Sequence, residues 1–159
     1  MIELSQETSD DFYEVEALYD LCFAPGREAL SSYRLRDGVD KVAELSLVAR
    51  EEGTLAGAIR YWPVRVGGAL TLLLGPVAVH PTHQGEGLGG YLIRQSLQRA
   101  KQGDWQRVLL IGDAPYYTRF GFELLHGVEM PPPTNPERVL GYELVHGAWQ
   151  GVLGEVCRV

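Results

Sequence analysis

Two periodicities alternate along the first half of the chain. A short apolar stretch at Ile2–Leu4 predicts an opening strand, and from Phe12 to Cys22 apolar residues recur at helical spacing. Ser9 is a candidate cap for this helix, and Pro25-Gly26 predicts its end. Residues 28–36 then predict a second helical stretch.

The period changes to two after this helical region. Residues Val42–Arg50 alternate between the two faces of a predicted strand, and Glu52-Gly53 predicts a turn into a partner strand at Leu55–Val66. Gly67-Gly68 predicts another turn, which leads into the nearly continuous apolar strand Ala69–Val79. These patterns predict an antiparallel meander.

The strand Ala69–Val79 is interrupted by Gly75-Pro76. Proline cannot donate a hydrogen bond to a neighbouring strand, so a central strand rarely contains one. The interruption therefore predicts a bulge or a local parting of the neighbouring strands.

Shorter elements are predicted for the second half of the chain. In order, they are a helix at Leu88–Gln102, a strand at Arg107–Ile111, a helical turn at Pro115–Arg119, a strand start at Phe120-Gly121-Phe122, and strands near Val139–Val145 and Val152–Val156. Strands precede, flank and follow the helices, which predicts a mixed α/β class with one central sheet. The length of 159 residues fits one domain, residues 1–159.

Composition narrows the functional classes. The net charge is −7, which disfavours nucleic acid as a partner because phosphate contacts require a basic surface. No stretch approaches 18 apolar residues and the N-terminus lacks a signal-peptide pattern, so we expect no membrane association and a cytoplasmic location. The two cysteines, Cys22 and Cys157, predict neither a disulfide framework nor a metal site.

The segment Gln84–Gly90 carries most of the chemical information. It follows an apolar strand and opens a helix, a context in which glycines and free helix amides bind anions. A Walker A loop is excluded because Tyr91 stands where that motif requires lysine. A dinucleotide-binding fingerprint is present as Gly85, Gly87 and Gly90, but too little sequence remains for a doubly wound parallel domain.

A third interpretation of this segment rests on two blocks of sequence. The pattern Gln84-x-x-Gly87-x-Gly89 follows the strand Leu74–Val79, and a second block runs from Leu110–Asp113 into Tyr116–Phe122. Together, and in this order, they resemble the GNAT superfamily of N-acetyltransferases, and the closing strands resemble a predicted-acetyltransferase subgroup of that superfamily. The resemblance extends over essentially the whole chain.

The resemblance implies a GNAT-like acyl-CoA N-acyltransferase fold: a central mixed sheet with helices on both faces and a bulged, splayed central strand. It implies an acyltransferase that moves acetyl from acetyl-CoA to a primary amine by direct attack, without a metal. The implied cofactor-binding residues are Val77, Ala78 and Val79 along the pantetheine arm, and Gln84, Gly85, Glu86, Gly87, Leu88, Gly89 and Gly90 around the pyrophosphate. The amide of Val79 is a candidate to polarise the thioester carbonyl.

The resemblance also implies a general acid but leaves the base open. Tyr117 stands four residues before Gly121 and matches the family's acid, with Tyr116 as the competing candidate. The strand Ala69–Val79 contains no ionisable side chain. The base is therefore unassigned among His80, Glu44, Tyr61 and a water chain.

The acceptor is expected to be a small-molecule or protein amine. Residues 1–53 hold 13 acidic and 5 basic side chains, which favours a cationic acceptor if this half lines the acceptor side. A homodimer is one possible oligomeric state. Two other functions remain as alternatives: a non-catalytic acyl-CoA-binding regulatory module and a Rossmann-type dinucleotide binder.

Overall fold

A computed structural model describes residues 1–23 and 31–159. Its strands are β1 (Ile2–Gln6), β2 (Leu47–Glu51), β3 (Thr54–Val66), β4 (Ala69–Val79), β5 (Arg107–Ile111), β6 (Glu123–Leu124), β7 (Val128–Glu129), β8 (Val139–Glu143) and β9 (Gly154–Arg158). Its helices are α1 (Phe12–Cys22), α2 (Ser31–Arg34), α3 (Leu88–Gln102) and α4 (Ala114–Tyr117). The predicted helix end at Pro25-Gly26 and the start of the second helical stretch at 28–30 lie outside the described residues.

The predicted strand start at Phe120-Gly121-Phe122 is wrong, because Thr118–Phe120 is a 3-10 turn that ends at Gly121 and β6 begins at Glu123.

Two further local predictions are wrong. Strand β2 begins at Leu47 rather than Val42, because Ala43–Leu45 forms a 3-10 turn and the Ser46 hydroxyl donates to the Val42 carbonyl. The 3-10 turn Ser9–Asp11, which leads into α1, has Thr8 rather than Ser9 as its N-cap: the backbone amide and the hydroxyl of Thr8 donate to the Asp11 carboxylate. Both errors arise where a side chain satisfies the backbone locally.

The strands of the described chain form a mixed sheet in the order β1-β2-β3-β4-β5-β8-β6. Pairing along this path is antiparallel except between β4 and β5, and β9 adds to the far end of β3. The predicted class of a central mixed sheet is confirmed. This topology overturns the dinucleotide-binding alternative, which requires a doubly wound parallel sheet.

Strands β4 and β5 run side by side over a short distance and then part. Their pairing is confined to Leu72 with Val108 and Leu73 with Leu109. Opposite Gly75-Pro76, the β3–β4 register shifts between Ile59 and Tyr61. The predicted bulge and the predicted parting of strands are therefore both present, and the second opens a cleft beside β4.

Helices cover both faces of the sheet. On one face α3 buries Leu92 and Ile93 against the strands. On the other face α1 buries Val15 and Tyr19, and the Tyr19 hydroxyl donates to the Pro76 carbonyl at 3.1 Å. Helix α1 is therefore fixed directly to the irregular part of β4.

A buried ion pair anchors β3 to the segment after β1. Arg60 is 5% exposed and Glu7 is 4% exposed, and the guanidinium donates to both carboxylate oxygens at 2.9–3.0 Å. Arg60 also donates to Glu16 of α1, and its guanidinium carbon lies 5.1 Å from the Tyr19 ring centroid. A buried charge is costly unless it is paired, so this network depends on all its members.

We predict that Glu7→Gln lowers the free energy of unfolding by about 3 kcal/mol, since it leaves the buried Arg60 without its principal counter-charge. Urea denaturation measures the change. The matched control is Glu3→Gln, an exposed glutamate on β1, which should shift stability by less than about 0.5 kcal/mol. Equal effects of the two substitutions would contradict the prediction.

Candidate functional site

The parting of β4 and β5 opens a cleft of about 530 Å³. One wall is formed by residues 73–77 of β4 and another by residues 110–113, at the end of β5. Helix α4 with Tyr116 and Tyr117 closes one side, and Tyr33 and Arg36 from the α2 region close the other. The cleft lies where β4 and β5 no longer pair, so that the backbone groups on this side of β4 have no hydrogen-bond partner in β5.

The outer half of β4 presents unpaired amides to this cleft. The His80 amide donates to the Ala56 carbonyl, which fixes its direction toward β3. Amide directions alternate along a strand, so the N–H groups of Val77, which lines the cleft, and Val79 point away from β3, whereas that of Ala78 points toward β3. The Val79 carbonyl accepts from the Gln84 side chain at 3.1 Å.

The glycine segment forms the predicted loop and helix start. Gly85 and Gly87 adopt left-handed conformations (φ 84° and 82°), and Gly87 is the N-cap of α3. The Glu86 side chain is exposed to solvent, so its carboxylate needs no partner within the protein. The first-turn amides of α3, on Leu88, Gly89 and Gly90, have no partner inside the helix, and such amides can bind an anion.

The two adjacent tyrosines occupy different positions on the cleft wall. The Tyr116 hydroxyl lies 3.4 Å from the position a Cβ on Gly89 would take, so it faces the start of α3. The Tyr117 ring packs against Gly112 and Phe122, deeper between the strands. Burial, followed by the nearby Tyr116, raises the pKa of Tyr117 to about 12.

The residues considered as general bases lie outside the cleft lining. His80 caps the 3-10 turn after β4 and faces α1. Tyr61 is fully buried, bonds to the Ser96 hydroxyl at 2.8 Å and has its pKa raised by burial. Glu44 is exposed on the turn before β2. Asp113 is the carboxylate that does line the cleft, where it accepts from the Tyr116 amide.

Sequence patterns missed the cationic part of the lining. Arg36 and Arg138 both line the cleft. Arg36 comes shortly after a short helix and just before an Asp-Gly pair, so nothing in the sequence separates it from a surface arginine. Only the tertiary structure shows that it is buried.

Four acidic residues of the first third are paired with arginines. Glu7 and Glu16 contact Arg60, whereas Asp11 and Glu14 contact Arg50 at 2.8 Å. These four carboxylates stabilise the fold, and the expectation of a cationic acceptor stays a prediction.

The described residues contain neither a membrane-spanning helix nor a metal-binding cluster. No helix there is long and apolar enough to cross a bilayer. Nor do those residues bring together three or more His, Cys, Asp or Glu side chains in an arrangement that would hold a metal ion.

Comparison with known proteins matches the chain to a family. The family model described as Acetyltransferase (GNAT) family matches residues 12–122. The uncharacterised N-acetyltransferase YhbS of Escherichia coli (strain K12) is 31% identical over 147 residues, which cover 89% of this chain and 87% of YhbS. The uncharacterised N-acetyltransferase YjhQ of the same strain is 38% identical over 96 residues, 58% of this chain and about half (53%) of YjhQ.

Solved structures agree with this match. The crystal structure of YhbS from Escherichia coli in complex with CoA has a TM-score of 0.85 and 28% identity, covering 99% of this chain and 89% of that one. A GNAT family acetyltransferase from Brucella melitensis in complex with acetyl-CoA has a TM-score of 0.66 and 30% identity, covering 94% and 99%.

We predict that Tyr117 stays protonated throughout the range in which an exposed tyrosine ionises, because burial raises its pKa to about 12. Ultraviolet difference titration of the native protein up to about pH 11 should therefore give the same number of ionised tyrosines for the wild type and for Tyr117→Phe. The loss of one ionising tyrosine in the variant over this range would show that the phenol is not desolvated.

Proposed function

The chain belongs to the Acetyltransferase (GNAT) family, and on that premise we propose that it transfers acetyl from acetyl-CoA to a primary amine of a small molecule or a protein by direct attack. The observation that carries the proposal is the parting of β4 from β5 after Leu73. It leaves strand amides facing a cleft with two tyrosines on its wall, and the hydroxyl of one of them, Tyr116, lies next to Gly89 at the start of α3.

The cleft suits an acyl-CoA in shape and in hydrogen-bonding chemistry. The pantetheine arm carries amide groups, and the outward N–H groups of Val77 and Val79 offer it the pairing an added strand would have. The loop from Gln84 to Gly90 would hold the pyrophosphate at the start of α3. Arg94 and Arg119 lie at this end, stacked on Phe120 and Tyr116 respectively, and add positive charge.

Acetyl-CoA supplies an activated acyl group, and the protein supplies positioning and proton transfer. The amine lone pair attacks the thioester carbonyl carbon, a C–N bond forms, and the C–S bond breaks with its electrons on sulfur. The Val79 amide would polarise the carbonyl oxygen. Tyr117 donates its phenolic proton to the departing thiolate.

The attacking nitrogen must lose a proton during this reaction. Asp113 is the carboxylate in the cleft lining, and we propose it as the proton acceptor, reached directly or through water. Its Oδ2 already accepts from the Tyr116 amide at 3.2 Å, which fixes the carboxylate beside the two tyrosines.

A non-catalytic acyl-CoA-binding module is the second candidate. The observation that favours it is the absence of histidine and glutamate from the described lining of the cleft. The cytoplasmic location and the homodimer remain predictions.

We predict that Gly89→Val raises KM for acetyl-CoA at least about tenfold and abolishes the thermal stabilisation by CoA. The added side chain would project between α3 and Tyr116, whose hydroxyl lies 3.4 Å from the Cβ position. The matched control is Gly103→Val at the other end of α3, where the Cβ position has similarly spaced neighbours, at 3.4–3.6 Å, but lies away from Tyr116. Unchanged CoA binding by Gly89→Val would place the cofactor elsewhere.

We predict that Tyr117→Phe lowers kcat by about 100-fold or more while CoA still raises the melting temperature, because the leaving thiolate loses its proton donor. Tyr116→Phe is the matched control and should stay within about threefold of the wild type. Thiol release from acetyl-CoA with a panel of amines measures both. Loss of turnover in Tyr116→Phe alone would reverse the assignment, and CoA binding without any turnover would support the binding module.

A further inference from the structure

Arg36 is a buried cation on the wall of the cleft. Its side chain is 9% exposed, and its guanidinium carbon lies 3.9 Å from the Tyr33 ring centroid and 5.2 Å from that of Trp62. One terminal nitrogen lies 3.7 Å from the position a Cβ on Gly75 would take, so the group sits beside the irregular part of β4. The side chain is therefore held between aromatic rings and faces the cleft.

The charge of Arg36 lacks a counter-ion within the described part of the chain. Arg50 and Arg60 each contact two carboxylates, whereas none of the described carboxylates lies within ion-pair distance of Arg36. Its Nε is buried without a hydrogen-bond partner. Burial lowers the pKa of Arg36, and this effect outweighs the opposing hydrogen bond and charge interaction with Tyr33.

Burial of a guanidinium without a carboxylate partner costs free energy. Proteins retain such groups where a bound ligand supplies the missing partner. Stacking on Tyr33 and Trp62 fixes the plane of the guanidinium, and a fixed plane favours two parallel hydrogen bonds to a carboxylate.

We propose that Arg36 binds a carboxylate of the amine acceptor, so that the acceptor is an amino acid or a peptide-like amine carrying a carboxylate. This inference rests on the proposed acetyl transfer. This acceptor has the opposite charge to the one expected from the sequence, and the inference follows from Arg36 on the cleft wall rather than from the overall charge of the first third.

The acceptor is a better source of this carboxylate than the acyl donor. The anionic part of CoA is provided for by the loop from Gln84 to Gly90, whereas Arg36 approaches from the α2 side, next to Gly75. The acetyl group carries no charge. The remaining carboxylate source on the donor side is a dicarboxylic acyl group such as succinyl, and the experiment includes it.

The experiment uses acceptor pairs that differ only in the carboxylate: leucine and leucinamide, β-alanine and β-alaninamide, triglycine and triglycinamide, with spermidine as the cationic probe. Thiol release gives kcat/KM for each with acetyl-CoA and with succinyl-CoA. The wild type should prefer at least one carboxylate member over its amide by about tenfold or more. Arg36→Met should reduce that ratio to about one through KM.

Two further variants separate binding from folding. Arg36→Lys keeps the positive charge but loses the planar guanidinium that donates two parallel hydrogen bonds. It should retain part of the preference for carboxylates over amides. Arg34→Met is the matched control, an exposed arginine on α2 that bonds to the Pro132 carbonyl, and should keep the full ratio. All variants should keep the melting-temperature shift with CoA, which shows an intact fold.

Four outcomes would overturn the inference. They are equal or better use of the amides, a preference for spermidine, a succinyl-CoA preference that Arg36→Met removes, and an Arg36→Met variant that loses CoA binding. If carboxylates and amides are acetylated equally, the proposed acetyl transfer stands and only the carboxylate site fails. If no amine of any class is acetylated although CoA binds, both fail.

Discussion

The hydrogen bonds that β4 cannot make to β5 determine the rest of the site. The two strands pair in parallel at Leu72 and Leu73 and then separate, next to a proline that has no amide to donate. Unpaired backbone groups in a protein interior are costly, and the open side of β4 exposes them to a cleft rather than burying them. A ligand with its own amide groups can restore that pairing, so the same defect supplies both the binding surface and the space for it.

The arrangement of charge follows from where the arginines lie relative to this defect. Arg50 and Arg60 lie away from the cleft and are neutralised by carboxylates of the first third of the chain. Their pairing holds α1 against the sheet, and α1 in turn holds Pro76 through Tyr19. Arg36, which reaches the cleft itself, has aromatic rings around it but no described counter-ion. Carboxylates thus neutralise arginines that stabilise the fold, whereas Arg36 remains for a ligand at the cleft, which Arg138 also lines.

Sequence patterns predicted the parts of the fold that depend on periodicity and on special backbone residues. The long apolar repeats of β3, β4 and α3 made these elements predictable. The bulge at Gly75-Pro76 was predictable because proline cannot donate a hydrogen bond to a neighbouring strand. The start of β2 was missed, since a turn buries Val42 and Leu45 in a way that imitates strand alternation. The burial of Arg36 was missed because it arises from contacts distant in sequence, such as that with Trp62.

The burial of Tyr117 constrains how it can serve as an acid. Its pKa is raised to about 12, whereas a free thiol has a pKa near 8.5, so transfer of the proton to a solvated thiolate would be uphill by about 5 kcal/mol. In the proposed reaction, however, the leaving sulfur would depart beside Tyr117 in the cleft, and burial raises the pKa of a thiol as it does that of a phenol. The difference between the pKa values of the phenol and the thiol would therefore narrow at C–S cleavage. A phenol whose pKa is raised to about 12 by burial stays protonated at neutral and mildly alkaline pH, and it suits a leaving group that shares its environment.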